Sequence, residues 1–172
     1  LLGSHFLRAV AQEPNVERIR VLTRQKKLRE QANAPGPLRR AQIFCGDVTL
    51  DDFGLTTEEL AELGDTTEVW HIAGDVDLSA RAPEQVMKIN HGGTCRLLEL
   101  ARGLPKLRRF FYVGTAYAYG TGSERVPEAP IPRPTGWKNA YEESKWLGEG
   151  EVIRSGLPFY VLRPSIITGH AV

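Results

Sequence analysis

The sequence is poor in the residues that build metal sites and disulfide frameworks. Its 172 residues include two cysteines, Cys45 and Cys95, which stand far apart and belong to no CxxC pair or Cys/His cluster. This spacing excludes a disulfide-rich scaffold and argues against a zinc site. We therefore expect two reduced thiols and no metal ligands.

The chain also lacks an excess of one charge and any long apolar run. Lys and Arg number 22 and Asp and Glu number 21, so the net charge is +1. Nucleic acid and anionic membranes therefore have no bulk electrostatic attraction to it. No apolar run approaches the roughly 20 residues of a spanning helix. We predict one globular, cytoplasmic domain over residues 1–172, with no nucleic-acid partner and no membrane segment.

What the sequence does contain is a regular alternation of strand-like and helix-like segments. Short apolar runs predict five strands, at residues 18–23, 41–45, 68–73, 109–113 and 159–162. Apolar residues at helical spacing predict helices at 1–10, 83–102 and 140–155. Thr56 and Glu59 fit a capping box that opens a short helix ending near Leu63. This alternation is typical of an α/β fold whose parallel sheet is covered on both faces.

Two of these segments carry further expectations. The helix predicted at 83–102 has one apolar face, formed by Val86, Ile89, Gly93, Leu97 and Leu100. The segment 120–136 is rich in Pro and Gly and too long for a simple connection, which indicates a substrate loop or lid.

A phenol, an ammonium and a hydroxyl are predicted to lie near one point of this fold. Ligands of open α/β sheets bind beyond the carboxyl ends of the strands, and Thr115 follows the strand predicted at 109–113. Tyr141 and Lys145 are four residues apart and so share a helix face. An ammonium beside a phenol favours the phenolate, and such a tyrosine can exchange a proton near neutral pH. The three residues are therefore candidate catalytic groups.

Other residues at strand ends are candidate cofactor ligands. Arg24, with Lys26 close behind, follows a strand where a guanidinium would fit a 2′-phosphate and so NADP; the alternative is a solvated basic turn. Asp47 could accept a hydrogen bond from an adenine amino group or serve only as a turn residue. Ala73-Gly74 would let a cofactor approach the backbone. Asn90 either pins a neighbouring strand end or simply packs.

The order of these residues resembles the extended short-chain dehydrogenase/reductases. The segments that carry the resemblance are Val69-Trp70-His71-Ile72-Ala73-Gly74, Asn90-His91-Gly92-Gly93-Thr94, Tyr112-Val113-Gly114-Thr115-Ala116-Tyr117, Tyr141-Glu142-Glu143-Ser144-Lys145-Trp146 and Leu162-Arg163-Pro164-Ser165. Within that superfamily the chain looks most similar to the thioester reductase and fatty acyl-CoA reductase branch, also called the male-sterility NAD-binding family. The segments specific to that branch are Val21-Leu22-Thr23-Arg24, Gly46-Asp47-Val48-Thr49, Phe53-Gly54-Leu55 and Ser144-Lys145-Trp146 with Gly148-Glu149.

The resemblance implies a Rossmann-like doubly wound parallel sheet and a reduction by NADPH, with NADH less suited. The substrate would be an acyl thioester, on CoA or on a carrier protein within a multidomain synthetase, and the product an aldehyde or alcohol. By the same resemblance, Tyr141 would donate the proton, Lys145 would bind the ribose and tune Tyr141, and Thr115 would hydrogen-bond the substrate oxygen.

The resemblance also assigns the cofactor contacts. Arg24 would hold the 2′-phosphate, with Lys26 beside it. Asp47 and Val48 would flank the adenine, and Pro164 and Ser165 would lie by the nicotinamide. Gly3 matches the third glycine of the pyrophosphate-binding turn, whose first two glycines lie outside the chain.

The chain departs from the family pattern in two ways. Gly114-Thr115 stands where the family usually has Ser-Thr. The first strand and the C-terminal substrate-binding part are missing, so we expect a fragment of a longer polypeptide, with unpaired inner sheet edges and poor NADPH binding in isolation.

Two other functions remain open at this point. An NAD-dependent sugar-nucleotide epimerase or dehydratase of the same superfamily would be favoured by an acidic residue where this chain has Arg24. A non-catalytic dinucleotide-binding regulatory module can lose the Tyr and Lys, and both are present here.

Overall fold

A computed structural model describes residues 2–24, 40–79, 81–121 and 127–169. Lys26 and the other residues between these ranges, including part of the Pro- and Gly-rich loop, lie outside the described residues. The chain divides into two compact units, one formed by Leu1–Leu63 with Ile167–Val172 and the other by Gly64–Ile166. The single domain over residues 1–172 remains a prediction.

The first unit contains two parallel strands with helices before and after them. Its elements are helix α1 (Leu2–Val10), strands β1 (Ile19–Thr23) and β2 (Ala41–Cys45), a 3-10 helix at Asp51–Gly54 and helix α2 (Thr57–Ala61). Strand β1 pairs with β2 in parallel, with Ile19 opposite Ala41 and Thr23 opposite Cys45. Leu7 of α1 packs with Ala41 and Ile43 in a small apolar core. The apolar spacing of α1 therefore buries its inner face on this sheet.

Gly46 allows the chain to fold back over the end of β2. A β-carbon at Gly46 would lie 2.6 Å from the carbonyl oxygen of Phe53 and 2.7 Å from the Leu22 side chain. The Asp47 amide donates to that same Phe53 oxygen across 3.0 Å. Any larger residue at 46 would push this turn away, so glycine is required here by space.

The second unit contains a three-stranded parallel sheet. Its elements are β3 (Glu68–His71), the long helix α3 (Pro83–Met87, Lys88–Gly92 and Gly93–Arg102 in succession), β4 (Arg109–Val113), a 3-10 helix at Ala116–Tyr119, α4 (Ala140–Arg154) and β5 (Phe159–Leu162). The strand order is β3-β4-β5. In register, Trp70 lies opposite Phe111, and Phe111 lies opposite Tyr160.

The two faces of this sheet differ. On one face Phe110 and Tyr112 are fully buried and pack with Leu98 and Ala101 of α3 and Val152 of α4. On the other face the rings of Trp70, Phe111 and Tyr160 form a stacked ladder across the strands, with centroid separations of 3.9 and 4.9 Å. Trp70 and Tyr160 remain 37% and 52% exposed.

The predicted α/β class with parallel strands is confirmed. Three strands have the predicted bounds, while β1 begins one residue later and β3 ends two residues earlier than expected. The capping box also forms, since Glu59 N donates to Thr56 Oγ1 and Thr56 N donates to Glu59 Oε2. Within the described residues, β1 pairs only with β2, and β3 pairs only with β4.

Helix α3 contains a π-helical segment that the sequence pattern did not reveal. It is α-helical over Pro83–Met87 and Gly93–Arg102 and π-helical over Lys88–Gly92. A π-turn adds one residue and rotates the positions that follow it. After the segment Gly93, as predicted, and Thr94, Leu98 and Ala101 are buried. Leu97 and Leu100, which were also predicted to face the core, are only half-buried.

Candidate functional site

Helix α4 buries a polar face, which is unusual for a helix packed on a sheet. Its start is fixed by Asn139, whose Oδ1 accepts from the Glu142 amide at 3.0 Å, and Gly156 adopts a left-handed conformation just beyond its end. The buried residues are Glu142, Ser144, Lys145, Gly148, Glu149 and Val152. Buried polar groups need hydrogen-bond or ionic partners, so the elements packed against this face must supply such partners.

Lys145 is the central buried cation of this face. It is 5% exposed, and its Nζ donates to the carbonyl oxygen of Val113, the last residue of β4, across 2.8 Å. Nζ also lies 5.0 Å from the centre of the Tyr112 ring. Burial lowers the pKa of Lys145 to about 8. Lys145 is therefore an ammonium at neutral pH, held at the carboxyl end of β4 one helical turn after Tyr141.

Gly74 and Asn90 lie directly beside this ammonium. A β-carbon on the exposed Gly74 would lie 3.5 Å from Lys145 Nζ and 3.2 Å from Asn90 Oδ1. Asn90 is buried in the π-helical segment, and its amide exchanges two hydrogen bonds with the backbone of Asp75, at 2.7 and 2.9 Å. Its Nδ2 also donates to Ser144 Oγ across 3.0 Å. Asn90 thus does pin the segment that follows β3.

Thr115 lies where β4 leaves the sheet. Gly114 N donates to Leu162 O and Ala116 N donates to Pro164 O, so the pairing with β5 continues past both strands and holds Thr115 next to Pro164. The Thr115 hydroxyl accepts from the Tyr117 amide at 3.2 Å and caps the 3-10 helix. That 3-10 helix packs on α4, so Thr115, Tyr141 and Lys145 belong to neighbouring elements of one unit.

Sequence reasoning missed a buried hydrogen-bonded group beneath these residues. His71 Nε2 lies 2.8 Å from Thr94 Oγ1, which itself donates to the Asn90 carbonyl. Burial, reinforced by the charge of Lys145, lowers the pKa of His71 to about 3. Tyr112 donates to the Lys145 carbonyl across 3.2 Å. Scattered histidines and threonines carry no periodic signal, so only the fold brings them together.

The first unit holds the predicted adenosine contacts. Arg24 follows β1 and Asp47 follows β2, and parallel pairing brings the two strand ends together. Arg24 Nη1 lies 3.9 Å from Asp47 Oδ2, with the Arg24 side chain 64% exposed. Val48 is half-buried in the turn after Asp47, and Gly3 is exposed in the first turn of α1. In the second unit, Ala73 and Ser165 are exposed at strand ends and Pro164 is half-buried.

The described residues contain no cluster of three or more His, Cys, Asp or Glu side chains that could hold a metal ion. Among the same residues, no helix combines the length and hydropathy that crossing a membrane requires.

Known proteins resemble most of this chain. The nonribosomal peptide synthetase asaC of Aspergillus flavus is 29% identical over 99% of the chain. Fatty acyl-CoA reductase 2 of Bos taurus is 25% identical over 77% of the chain. The crystal structure of the terminal R domain from the myxalamid PKS-NRPS biosynthetic pathway superposes with a TM-score of 0.83, at 26% identity over 99% of the chain.

The chain is much shorter than these relatives. It spans 19% of the asaC synthetase, 31% of the fatty acyl-CoA reductase and 47% of the R-domain structure. The NAD-binding family described as Male sterility protein matches residues 1–172. The chain therefore belongs to the male sterility protein family.

Proposed function

We propose that this chain is the dinucleotide-binding part of an NADPH-dependent reductase that converts an acyl thioester to an aldehyde or alcohol. The acyl group would be carried by CoA or by a carrier protein within a multidomain synthetase. The family match and the similarity to a fatty acyl-CoA reductase and a peptide synthetase support this class of reaction.

The observation that carries the proposal is that the buried Lys145 ammonium has hydrogen-bond donors left to use. An ammonium has three N–H donors, and Lys145 uses one of them, on the Val113 carbonyl, among the hydrogen bonds of the described residues. A buried amine with two donors left needs an acceptor. Gly74 is exposed beside Nζ, and a β-carbon there would lie only 3.5 Å from it, so a larger residue at 74 would crowd the ammonium. The hydroxyl groups of a nicotinamide ribose would supply the acceptors that these donors need.

The side chains then have distinct tasks in the reaction. A reduced nicotinamide would supply the hydride for the carbonyl carbon of the thioester. The Tyr141 phenol would donate its proton to the carbonyl oxygen, which gives a hemithioacetal. When the C–S bond of the hemithioacetal breaks, the hydroxyl proton would pass to the leaving sulfur, and the products are a thiol and an aldehyde. Thr115 Oγ already accepts from Tyr117 N, so its own hydrogen is the one available to the substrate oxygen. Lys145 holds the ribose and, as a cation, stabilises the phenolate.

Arg24 supports NADPH as the reductant. Its guanidinium is largely exposed at the end of β1 and is joined by one long contact to Asp47. A guanidinium in this position matches a 2′-phosphate, whereas NAD-binding sites of this type use an acidic residue there.

The proposal is tested on the full-length protein with NADPH and an acyl-CoA or a carrier-bound acyl chain. Tyr141→Phe should lower turnover by on the order of 100-fold or more while NADPH affinity stays close to that of the wild type. Tyr160→Phe is the matched control, because Tyr160 lies on the exposed ladder of the sheet. Unchanged turnover in Tyr141→Phe would remove this residue from the mechanism.

A further inference from the structure

Arg163, which directly follows β5, and Glu149 of α4 form a largely buried ion pair. Arg163 Nε donates to Glu149 Oε2 across 2.9 Å, and Nη2 donates to Oε1 across 2.6 Å. The Glu149 side chain is 2% exposed and that of Arg163 is 17% exposed. Paired, two-point bonds of this kind fix orientation as well as charge. Neither residue has a part in the reaction proposed above.

The other donors of Arg163 reach the described end of the Pro- and Gly-rich loop. Nη1 donates to Tyr119 Oη at 2.8 Å and to Pro127 O at 3.3 Å, and Nη2 donates to Ala129 O at 2.7 Å. With the two bonds to Glu149, all five N–H groups of the guanidinium are used. Tyr119 Oη donates in turn to Pro127 O across 2.9 Å. We call this group, Arg163 with Glu149, Tyr119 and the carbonyls of Pro127 and Ala129, the Arg163 latch.

A second contact holds the same segment to α4. Trp146 Nε1 donates to the carbonyl oxygen of Ile131 across 3.1 Å. Trp146 is the residue after Lys145, and Glu149 lies one turn beyond Lys145 on the same helix. Residues 127–131 are therefore fixed to α4 at two points, through Trp146 and through the latch.

The latch touches the elements that carry each proposed catalytic residue. Tyr119 ends the 3-10 helix that Thr115 caps, and a β-carbon on Gly114 would lie 3.6 Å from Glu149 Oε2. Glu149 belongs to the helix of Tyr141 and Lys145, and Arg163 directly precedes Pro164. The fixed segment itself lies between Thr115 and Tyr141 along the chain.

We propose that the Arg163 latch is a positioning device, which fixes residues 127–131 on α4 and thereby sets Thr115 relative to Tyr141. This role rests on the proposed reductase function. Catalytic groups must be held within about 0.5 Å of the productive geometry. Loss of the latch would release residues 127–131, which lie between Thr115 and Tyr141 along the chain. Lysine cannot replace Arg163 fully, because three donors cannot satisfy the five acceptor contacts.

The test combines proteolysis with steady-state kinetics on the full-length protein. Endoproteinase Glu-C cuts after glutamate, and the exposed Glu128 precedes Ala129, whose carbonyl the latch holds. Arg163→Gln should speed cleavage at Glu128 and lower kcat with acyl-CoA by at least about 10-fold, while KM for NADPH stays within about 2-fold of wild type. Arg163→Lys should have smaller effects on both the cleavage rate and kcat than Arg163→Gln. Arg154→Gln, which breaks the exposed pair with Glu151 on the same helix, is the matched control and should change neither.

The outcomes separate this inference from the proposed function. Faster cleavage with an unchanged kcat overturns the positioning role, and unchanged cleavage overturns the latch itself. If Arg163→Gln does not fold, Tyr119→Phe answers the same questions, because it removes two bonds of the latch and leaves no buried charge unpaired. If the wild-type protein reduces neither acyl-CoA nor a carrier-bound acyl chain, the proposed function fails and the positioning role fails with it, while cleavage at Glu128 still decides whether the latch holds the segment.

Discussion

The Lys145 ammonium donates to the Val113 carbonyl oxygen across 2.8 Å while being almost completely buried. Burial lowers the pKa of Lys145 from 10.5 to about 8. The native state therefore loses this proton at lower pH than the unfolded chain does. At neutral pH the folded protein therefore holds the charged Lys145 ammonium away from water, which lowers the stability of the folded state.

Lys145→Met should accordingly stabilise the protein at neutral pH while abolishing its proposed activity. The expected gain in the free energy of unfolding is on the order of 2 kcal/mol. Since the native pKa lies below the unfolded one, the wild type recovers stability as pH rises from about 8 towards 10.5, so the gain should shrink over that window. This gain can be measured by urea unfolding, followed by the fluorescence of Trp137 and Trp146, whose ring centroids lie 5.4 Å apart. A variant less stable than wild type at every pH would contradict this account.

His71 should make the protein sensitive to acid. Its pKa falls from 6.5 to about 3 in the folded state, through burial first and the charge of Lys145 second. The unfolded chain therefore binds more protons between these two values, and stability is lost as pH falls from about 6.5 towards 3. One such group contributes up to about 1.4 kcal/mol per pH unit. His71→Gln should flatten the pH dependence of the unfolding free energy in that range.

The exposed His5 provides the control for this measurement. His5→Gln should keep the acid sensitivity of the wild type, because it leaves the buried imidazole in place. Equal pH dependence in the wild type and both variants would show that His71 does not control acid stability.

The sequence predicted the elements of this fold well because their signals are local. Strand β4 is a compact apolar run, the capping box at Thr56 is a pair of side chains three residues apart, and both appear as predicted. The rotation of α3 after Lys88–Gly92 was not predictable in the same way. A π-turn leaves the local composition unchanged and alters only the phase of the pattern, so Leu98 is fully buried in the core while Leu97 packs at its edge.

The candidate site was predictable only in part. Tyr141, Lys145 and Thr115 could be selected because their spacing and strand-end positions have a chemical meaning. The ion pair between Glu149 and Arg163 could not, because the two residues are separated in sequence and a charged pair usually belongs on the surface. The same holds for the hydrogen bond between His71 and Thr94. Their convergence is a property of the packed sheet and helices.

Arg24 should determine the choice between the two nicotinamide cofactors. Arg24→Gln keeps a polar side chain at the end of β1 but removes the charge, so KM for NADPH should rise by about 10-fold or more, with KM for NADH little changed. The matched control is Arg8→Gln, which removes an exposed guanidinium from the last turn of α1. Equal effects on NADPH and NADH would mean that Arg24 does not contact the 2′-phosphate.

Gly148 and Gly150 offer a matched test of how closely α4 lies on the sheet. A β-carbon at Gly148 would lie 2.6 Å from Tyr112 Oη and 3.2 Å from Thr94 Oγ1, whereas one at Gly150 would meet only the flexible end of Arg154, at 3.2 Å. Both glycines lie inside the helix, where alanine is intrinsically favoured by about 0.5–1 kcal/mol. Gly148→Ala should nevertheless destabilise the protein by about 1–3 kcal/mol through overpacking, because both Tyr112 and Thr94 are fully buried.

Gly150→Ala should be neutral or slightly stabilising, since the Arg154 guanidinium can move into solvent. Thermal unfolding of the two variants side by side separates the packing effect from helix propensity. The two glycine variants should also differ in cofactor binding. Tyr112 donates to the carbonyl oxygen of Lys145, and the Lys145 ammonium lies over the Tyr112 ring, so a shift of Tyr112 would move that ammonium. Gly148→Ala should therefore weaken NADPH binding as well as stability, and Gly150→Ala should affect neither. Equal stability and equal NADPH affinity in the two variants would show that α4 is not held by this close approach.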